Sequence, residues 1–132
     1  MKRKTIPFEF VLDYLVPLDV TIKQMFGVWA IYLDRKIVLV LRLRDDHPES
    51  NGVWIATSRE HHKSLKNDFP SLRPISYFSE ATGESEWQVL PVGAEDFEVS
   101  VRQVCEMIKH NDSRIGKVPG YKKVKKKPEK NS

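Results

Sequence analysis

Few side chains in this 132-residue sequence have the type and spacing that chemistry requires. His61 and His62 come first, because neighbouring imidazoles suggest metal binding. On a helix, however, consecutive residues point about 100° apart, and two histidine ligands on one face sit at i and i+4. No cysteine lies near them, and Glu60 and Asp68 are ordinary helix-surface residues. The pair reads as helix surface, and no metal is expected.

A nucleophilic thiolate needs a partnering base and an electropositive, accessible setting. Cys105 instead shares helical spacing with Val101, Val104 and Ile108, which marks it as a small core hydrophobe. As the only cysteine it also excludes an intramolecular disulfide. The carboxylate pairs Asp45-Asp46 and Glu95-Asp96 fall in a turn and in the opening turn of a helix, where acidic residues belong without catalytic work. The chain has no P-loop, no G-x-S-x-G, no dinucleotide fingerprint and no zinc spacing. A protein without catalytic residues, metal or cofactor is the expectation.

Basic residues offer a second chemistry. Lys23, Lys36, Arg42 and Arg44 are expected to give the outer face of a sheet a basic character, with either Trp29 or Tyr32 among them, since strand parity puts those two on opposite faces. Aromatic rings between cations stack single-stranded bases. The plainer reading, a solvated face or a lysine-guarded edge, is preferred because no RNA-binding consensus is present. Lys122, Lys123, Lys125, Lys126 and Lys127 form the strongest charge feature, suited to phosphate neutralisation or to solubility.

Hydrophobic spacing predicts the elements that must position these groups. Pro7 suits a first helical position and Glu9 the opening turn, while Phe8, Val11, Leu12 and Leu15 form one stripe that Pro17 ends. Residues 20–44 are the most apolar and β-prone stretch, with strands predicted over 21–25, 28–33 and 37–43. Leu33-Asp34-Arg35-Lys36 has hairpin-turn length. In the third strand Ile37, Leu39, Leu41 and Leu43 are assigned to one face. Val38, Val40, Arg42 and Arg44 take the other, as though the strand left the core for solvent. Asn51-Gly52 signals a turn before a strand at 53–56.

Thr57 and Glu60 have capping-box spacing, with Ser58 an alternative cap, for a second helix carrying Leu65 and Phe69 and closed by Pro70. Strands follow at 75–78 and 87–92, and Pro91 suggests that the latter is an edge. Phe97, Val101, Val104, Cys105 and Ile108 define a third helix. The order α-β-β-β-β-α-β-β-α, with short links between early strands, predicts an α+β domain of two layers: a largely antiparallel sheet with helices on one face.

Charge separates the chain into two parts. Seven lysines and one glutamate give residues 117–132 a charge of +6, which leaves −2 for residues 1–116 out of the chain's +4. The domain is expected over 1–116 and a disordered lysine-rich tail over 117–132. The longest apolar runs are strand length, far below the roughly 20 residues that span a bilayer, so no membrane association is expected. Glu9 and Asp13 interrupt the apolar segment after the basic start, which argues against a signal peptide and for the cytoplasm.

The segment Lys23-Gln24-Met25-Phe26-Gly27-Val28-Trp29-Ala30-Ile31-Tyr32 resembles the signature of the TfoX amino-terminal-domain-like (TfoX/Sxy) family, with Met25, Phe26, Gly27 and Tyr32 as the motif residues. A strand ending at Ala56, Tyr77-Phe78, a late strand ending in proline and a closing helix also fit, so the likeness spans residues 7–110. Members carry Gly-Gly-aromatic-Gly where this chain has Gly27-Val28-Trp29-Ala30, and Ala30 is compatible only with negative φ. The full-length competence regulators have a further helical domain that the tail cannot supply, so a stand-alone member is implied. The resemblance implies a fold similar to secretion chaperones and a non-enzymatic protein-interaction or regulatory domain, with homodimerisation as in that fold group. The open sheet face, or the edge beyond the hairpin of residues 28–44, is the expected contact for an unidentified protein partner. Weak, non-specific nucleic-acid binding through the tail lysines is the alternative.

Overall fold

A computed structural model describes residues 6–75 and 86–118. Strands β1 (Val20–Met25), β2 (Val28–Leu33), β3 (Lys36–Arg42), β4 (Gly52–Ile55), β5 (Arg73–Pro74) and β6 (Gln88–Pro91) form one sheet in the order β1-β2-β3-β4-β6-β5. Every pairing is antiparallel. Helices α1 (Phe10–Leu15), α2 (His62–Asp68) and α3 (Phe97–Lys109) complete the predicted α+β order. Among the described residues no helix is long and apolar enough to cross a membrane.

All three helices cover the same side of the sheet. Val11 and Leu15 of α1, Leu65 of α2, and Val101, Val104, Cys105 and Ile108 of α3 pack on Ile31, Leu39, Leu41, Val53, Ile55 and Leu90. The stripe predicted for the third helix is the one it buries. On the opposite, outer face Ala30, Ile37, Val40, Trp54 and Val89 of the strands form a second apolar cluster with Ala56 and Ile75 beside them.

Strand β3 departs from strict alternation. Ile31 faces Leu39 and Tyr32 faces Ile37, so Val38 is an extra residue in the ladder, a β-bulge. One inserted residue inverts parity on one side of it. Ile37 therefore joins Val40 on the outer face, while Val38 joins Leu39 and Leu41 under the helices. The assignment of Ile37 and Val38 from simple alternation is thereby reversed.

The end of β3 is the second correction. Arg42 is 1% exposed rather than solvated. Its Nη1 donates to the His47 carbonyl (3.0 Å) and Asn51 Oδ1 (2.7 Å), and its Nη2 to the Asp46 carbonyl (2.9 Å) and Asp46 Oδ1 (3.3 Å). Asn51 closes the same loop by accepting from the Arg44 amide (2.9 Å) and donating to the Arg44 carbonyl (2.8 Å). Asn51-Gly52 is thus a side-chain staple followed by the first residue of β4, not a tight turn. Gly52, with φ of +145°, lies so close to β6 that a Cβ would come 2.1 Å from the Leu90 carbonyl oxygen.

Other boundaries shift for local reasons. Helix α1 begins at Phe10, because Phe8 has φ of +54° and breaks the helical path that Pro7 would start. No capping box forms at α2: the Thr57 hydroxyl donates to the Arg114 carbonyl (2.7 Å), and a 3-10 turn at Arg59–His61 leads into the helix. Strand β6 is not an edge, since β5 pairs with Gln88 and Val89; Pro91 lies just past the reach of β5. Ile75 is not in a strand, and the rest of the 75–78 expectation lies outside the described residues. Lys117, assigned to the tail, exchanges backbone hydrogen bonds with Ile37 (2.8 and 3.0 Å) and pairs with Glu86 at 2.8 Å. Ala30 has the negative φ that its side chain needs.

Arg114 ties the last loop to α2, bonding Asp112 through two nitrogens (3.0 and 2.9 Å), Asp68 (3.0 Å) and the Ser64 hydroxyl (2.6 Å). The hydrogen bonds from Arg114 hold the Asp112 carboxyl below its ordinary range.

Two outcomes follow for stability. Asn51→Ala removes three hydrogen bonds and leaves the buried Arg42 charge short of an acceptor, so urea unfolding should show a loss of about 2–4 kcal/mol. A loss below about 0.5 kcal/mol would mean that water replaces Asn51 at no cost. Asp112 has a lowered folded pKa, so its contribution is present above the unfolded value near 4 and disappears as pH falls through the folded value. Asp112→Asn should therefore cost about 1 kcal/mol at pH 7 and flatten the acid limb of a stability–pH profile below about pH 4. An unchanged acid limb would assign it to other carboxylates.

Candidate functional site

The hairpin joining β1 and β2 turns over two residues, Phe26 and Gly27, closed by the Met25–Val28 pair. Both have left-handed backbone, with φ of +49° and +81°. This is the mirror-type turn that Asn-Gly forms without strain and that matches the twist of the flanking strands. Phenylalanine in its first position costs about 1–2 kcal/mol. Gly27 is favoured by its φ, and the Arg44 guanidinium lies over its bare Cα. The backbone strain at Phe26 is not offset by burial of its side chain, for the residue is 92% exposed.

Phe26 stands at the rim of a hollow of about 300 Å³ on the outer face of the sheet, lined also by Met25, Val28, Tyr32, Val40 and Trp87 among others. Strand parity explains the lining: Val28, Ala30 and Tyr32 alternate on one side of β2, and Trp54 and Val40 are paired neighbours across β4 and β3. The wall is almost wholly apolar. Lys23 lies at the edge, its Nζ 5.5 Å from the centre of the Tyr32 ring. Of the four motif residues, Met25, Phe26 and Tyr32 thus meet around one cavity while Gly27 shapes the turn beside it. Trp29, on the other parity, packs toward the helices.

The basic face expected from Lys23, Lys36, Arg42 and Arg44 does not form. Arg42 is buried, Arg44 bonds Asp46 at 2.8 Å beside the hairpin turn, and the Lys36 stem runs under Gly116. Hydrogen bonding from Arg44 lowers the pKa of Asp46, so this half of the Asp45-Asp46 pair stays ionised. Lys122, Lys123, Lys125, Lys126 and Lys127 lie outside the described residues.

The other candidates are accounted for by their neighbours. His61 pairs with Glu60 at 3.2 Å, and His62 Nε2 lies 2.6 Å from the Glu86 carbonyl. Among the described residues no three histidine, cysteine or acidic side chains come together to hold a metal. Cys105 is fully buried, and desolvation pushes its thiol up to about 12. Asp96 accepts from the Ser71 hydroxyl at 2.9 Å. A larger hollow of about 510 Å³ opens between Pro48, Ser71, Arg73 and Gly93, and its Arg73 guanidinium is directed to the Glu49 carbonyl at 2.7 Å.

The sequence signal for the hollow was the apolar parity of β2, combined with the aromatic residue preceding Gly27. What it did not reveal was the contribution of Ile37, which depends on the bulge. The chain matches no protein-family model, no curated protein and no solved structure.

If the ring of Phe26 serves the surface and not the fold, Phe26→Asn relieves the left-handed backbone and should stabilise the protein by about 0.5–1 kcal/mol in chemical denaturation. A decrease would show that the ring holds the hairpin together.

Proposed function

We propose that this protein is a non-enzymatic interaction domain of the TfoX amino-terminal-like kind, which takes an apolar side chain of a protein partner into the hollow beside Phe26. The observation that carries the reading is a large, strained and almost fully exposed aromatic residue at the rim of an apolar cavity. Local strain of this sort is retained where the exposed group has work to do, and aromatic anchors supply a large share of interface energy. Three of the four residues of the TfoX-like motif, Met25, Phe26 and Tyr32, line this hollow. The cytoplasm is the proposed setting, in keeping with a single, free and buried cysteine.

The alternative, weak nucleic-acid binding, draws on the +6 charge of residues 117–132. Capture of partners from a cell extract by the immobilised full chain separates the two. Phe26→Asn should reduce capture about tenfold, while serine at Lys122, Lys123, Lys125, Lys126 and Lys127 leaves it intact. Capture that ignores Phe26 but vanishes at high salt, or with the five lysines replaced, would establish the nucleic-acid reading in its place.

A further inference from the structure

Of the two outermost strands, β5 has only two residues, so the long edge of the sheet is β1, and not the flank of β3, which β4 occupies. Four consecutive residues of β1, Thr21, Ile22, Lys23 and Gln24, are exposed. A two-residue loop closed by Met25–Val28 makes that pair the hydrogen-bonded one, and alternation along β1 then fixes the rest. Lys23 and Thr21 exchange hydrogen bonds with β2. Val20, Ile22 and Gln24 direct their N–H and C=O groups away from it, toward whatever lies alongside.

Charge decides what fits that edge. Asp19 immediately precedes β1 and is exposed, and Lys23 stands four residues later, an even spacing that in extended chain sets both on one side. Among the described residues neither forms an ion pair, the one partner of Lys23 being the Tyr32 ring. An edge bearing an acid and a base four positions apart, with Thr21 midway, is complementary to its own antiparallel copy. We infer that two copies of this chain pair through β1, with the two-fold axis at Thr21, to form one continuous twelve-stranded sheet.

In that register Lys23 lies directly opposite Asp19 of the second copy, and the same pair recurs across the axis. Thr21 meets Thr21, and Val20 meets Ile22 in the two pairs whose outward N–H and C=O groups bond between copies. Alternatives are poorer. Shifting the axis to Ile22 sets Lys23 against Thr21, and shifting it to Lys23 sets like charges face to face, which opposes pairing. Asp19 and Ile22 are not among the residues lining the Phe26 hollow, whereas Lys23 stands over its Tyr32 wall. The inference thus goes beyond the proposed function: a dimer lost through Ile22→Pro leaves partner capture through Phe26 untouched, and Phe26→Asn leaves the dimer intact.

Light scattering and sedimentation of the full chain over a concentration series test it. The expected mass is twice the 15.4 kDa of one chain. Lys23→Asp places two acids opposite each other on both sides of the axis and should weaken the dimer about tenfold or more. Combining Asp19→Lys with Lys23→Asp exchanges the charges and should restore it. Ile22→Pro removes an outward N–H and no hydrogen bond to β2, so it should yield a monomer with an unchanged circular dichroism spectrum. A single-chain mass at every concentration up to about 1 mM overturns the inference. So does a dimer that Lys23→Asp and Ile22→Pro leave alone, or one that the charge exchange fails to recover.

Discussion

Strand β3 is dry on both sides, and this one requirement organises the molecule. From Ile37 to Arg42 every residue is buried, so the strand needs a covering layer above and below and a strand on each flank. Helices α1, α2 and α3 supply the layer above Leu39 and Leu41. Below, Val40 and Ile37 rely on aromatic neighbours, Trp54 and Tyr32, which come from the flanking strands themselves. The bulge at Val38 serves both layers. It turns two adjacent residues of β3 to the helix side and frees Ile37 for the outer face, which a strictly alternating strand cannot do.

Burying β3 to its last residue creates the need that the following loop fills. A guanidinium at the dry end of a strand is tolerable only when its donors find acceptors. The loop from Leu43 to Asn51 provides them with two backbone carbonyls, one carboxylate and one side-chain amide. Asp46 is the one acidic side chain of the loop that these contacts show on Arg42, and it also pairs with Arg44. Asn51 then leads directly into Gly52, whose missing side chain lets β4 and β6 lie close enough to pair. One buried charge thus fixes the loop, and the loop fixes the register of the next strand.

What sequence patterns disclose is periodic, and what they hide is long-range. The stripe of Val101, Val104, Cys105 and Ile108 announced its helix because all four meet one core, and the four early strands were visible in the β-prone run of residues 20–44 and at 53–56. Arg42 was misread because parity says which side a residue faces and nothing about what a loop nine residues away brings to it. Strand order was equally hidden. Pro91 suggested an edge, yet the two residues of β5 that displace that edge come from a connection with almost no strand character. Thr57 looked like a cap until Arg114, 57 residues on, claimed its hydroxyl. The hollow was half legible: β2 showed its apolar face, but the exposure of Phe26 and the left-handed turn beneath it appear only in three dimensions.

These contrasts single out the turn of the β1–β2 hairpin and the exposed stretch of β1 as the part of the sheet that does not serve the core. Elsewhere local preference and burial agree, as a cooperative fold requires. Here a phenylalanine occupies a turn position suited to asparagine, its ring is in water, and among the described residues no strand pairs with the outer edge of the adjacent β1. Such choices lower the stability of the hairpin, and the rigid, twice-covered β3 beside it is what allows them to persist. A binding surface built on an edge hairpin gains from that division: the rim residue and the strand edge remain accessible, while β2, paired on both flanks from Trp29 to Leu33, keeps them at a fixed distance from the core. The same geometry sets the limit on change. Substitutions at Phe26 or along β1 alter what the protein meets, whereas substitutions at Arg42 or Asn51 alter whether the surface is held in place at all.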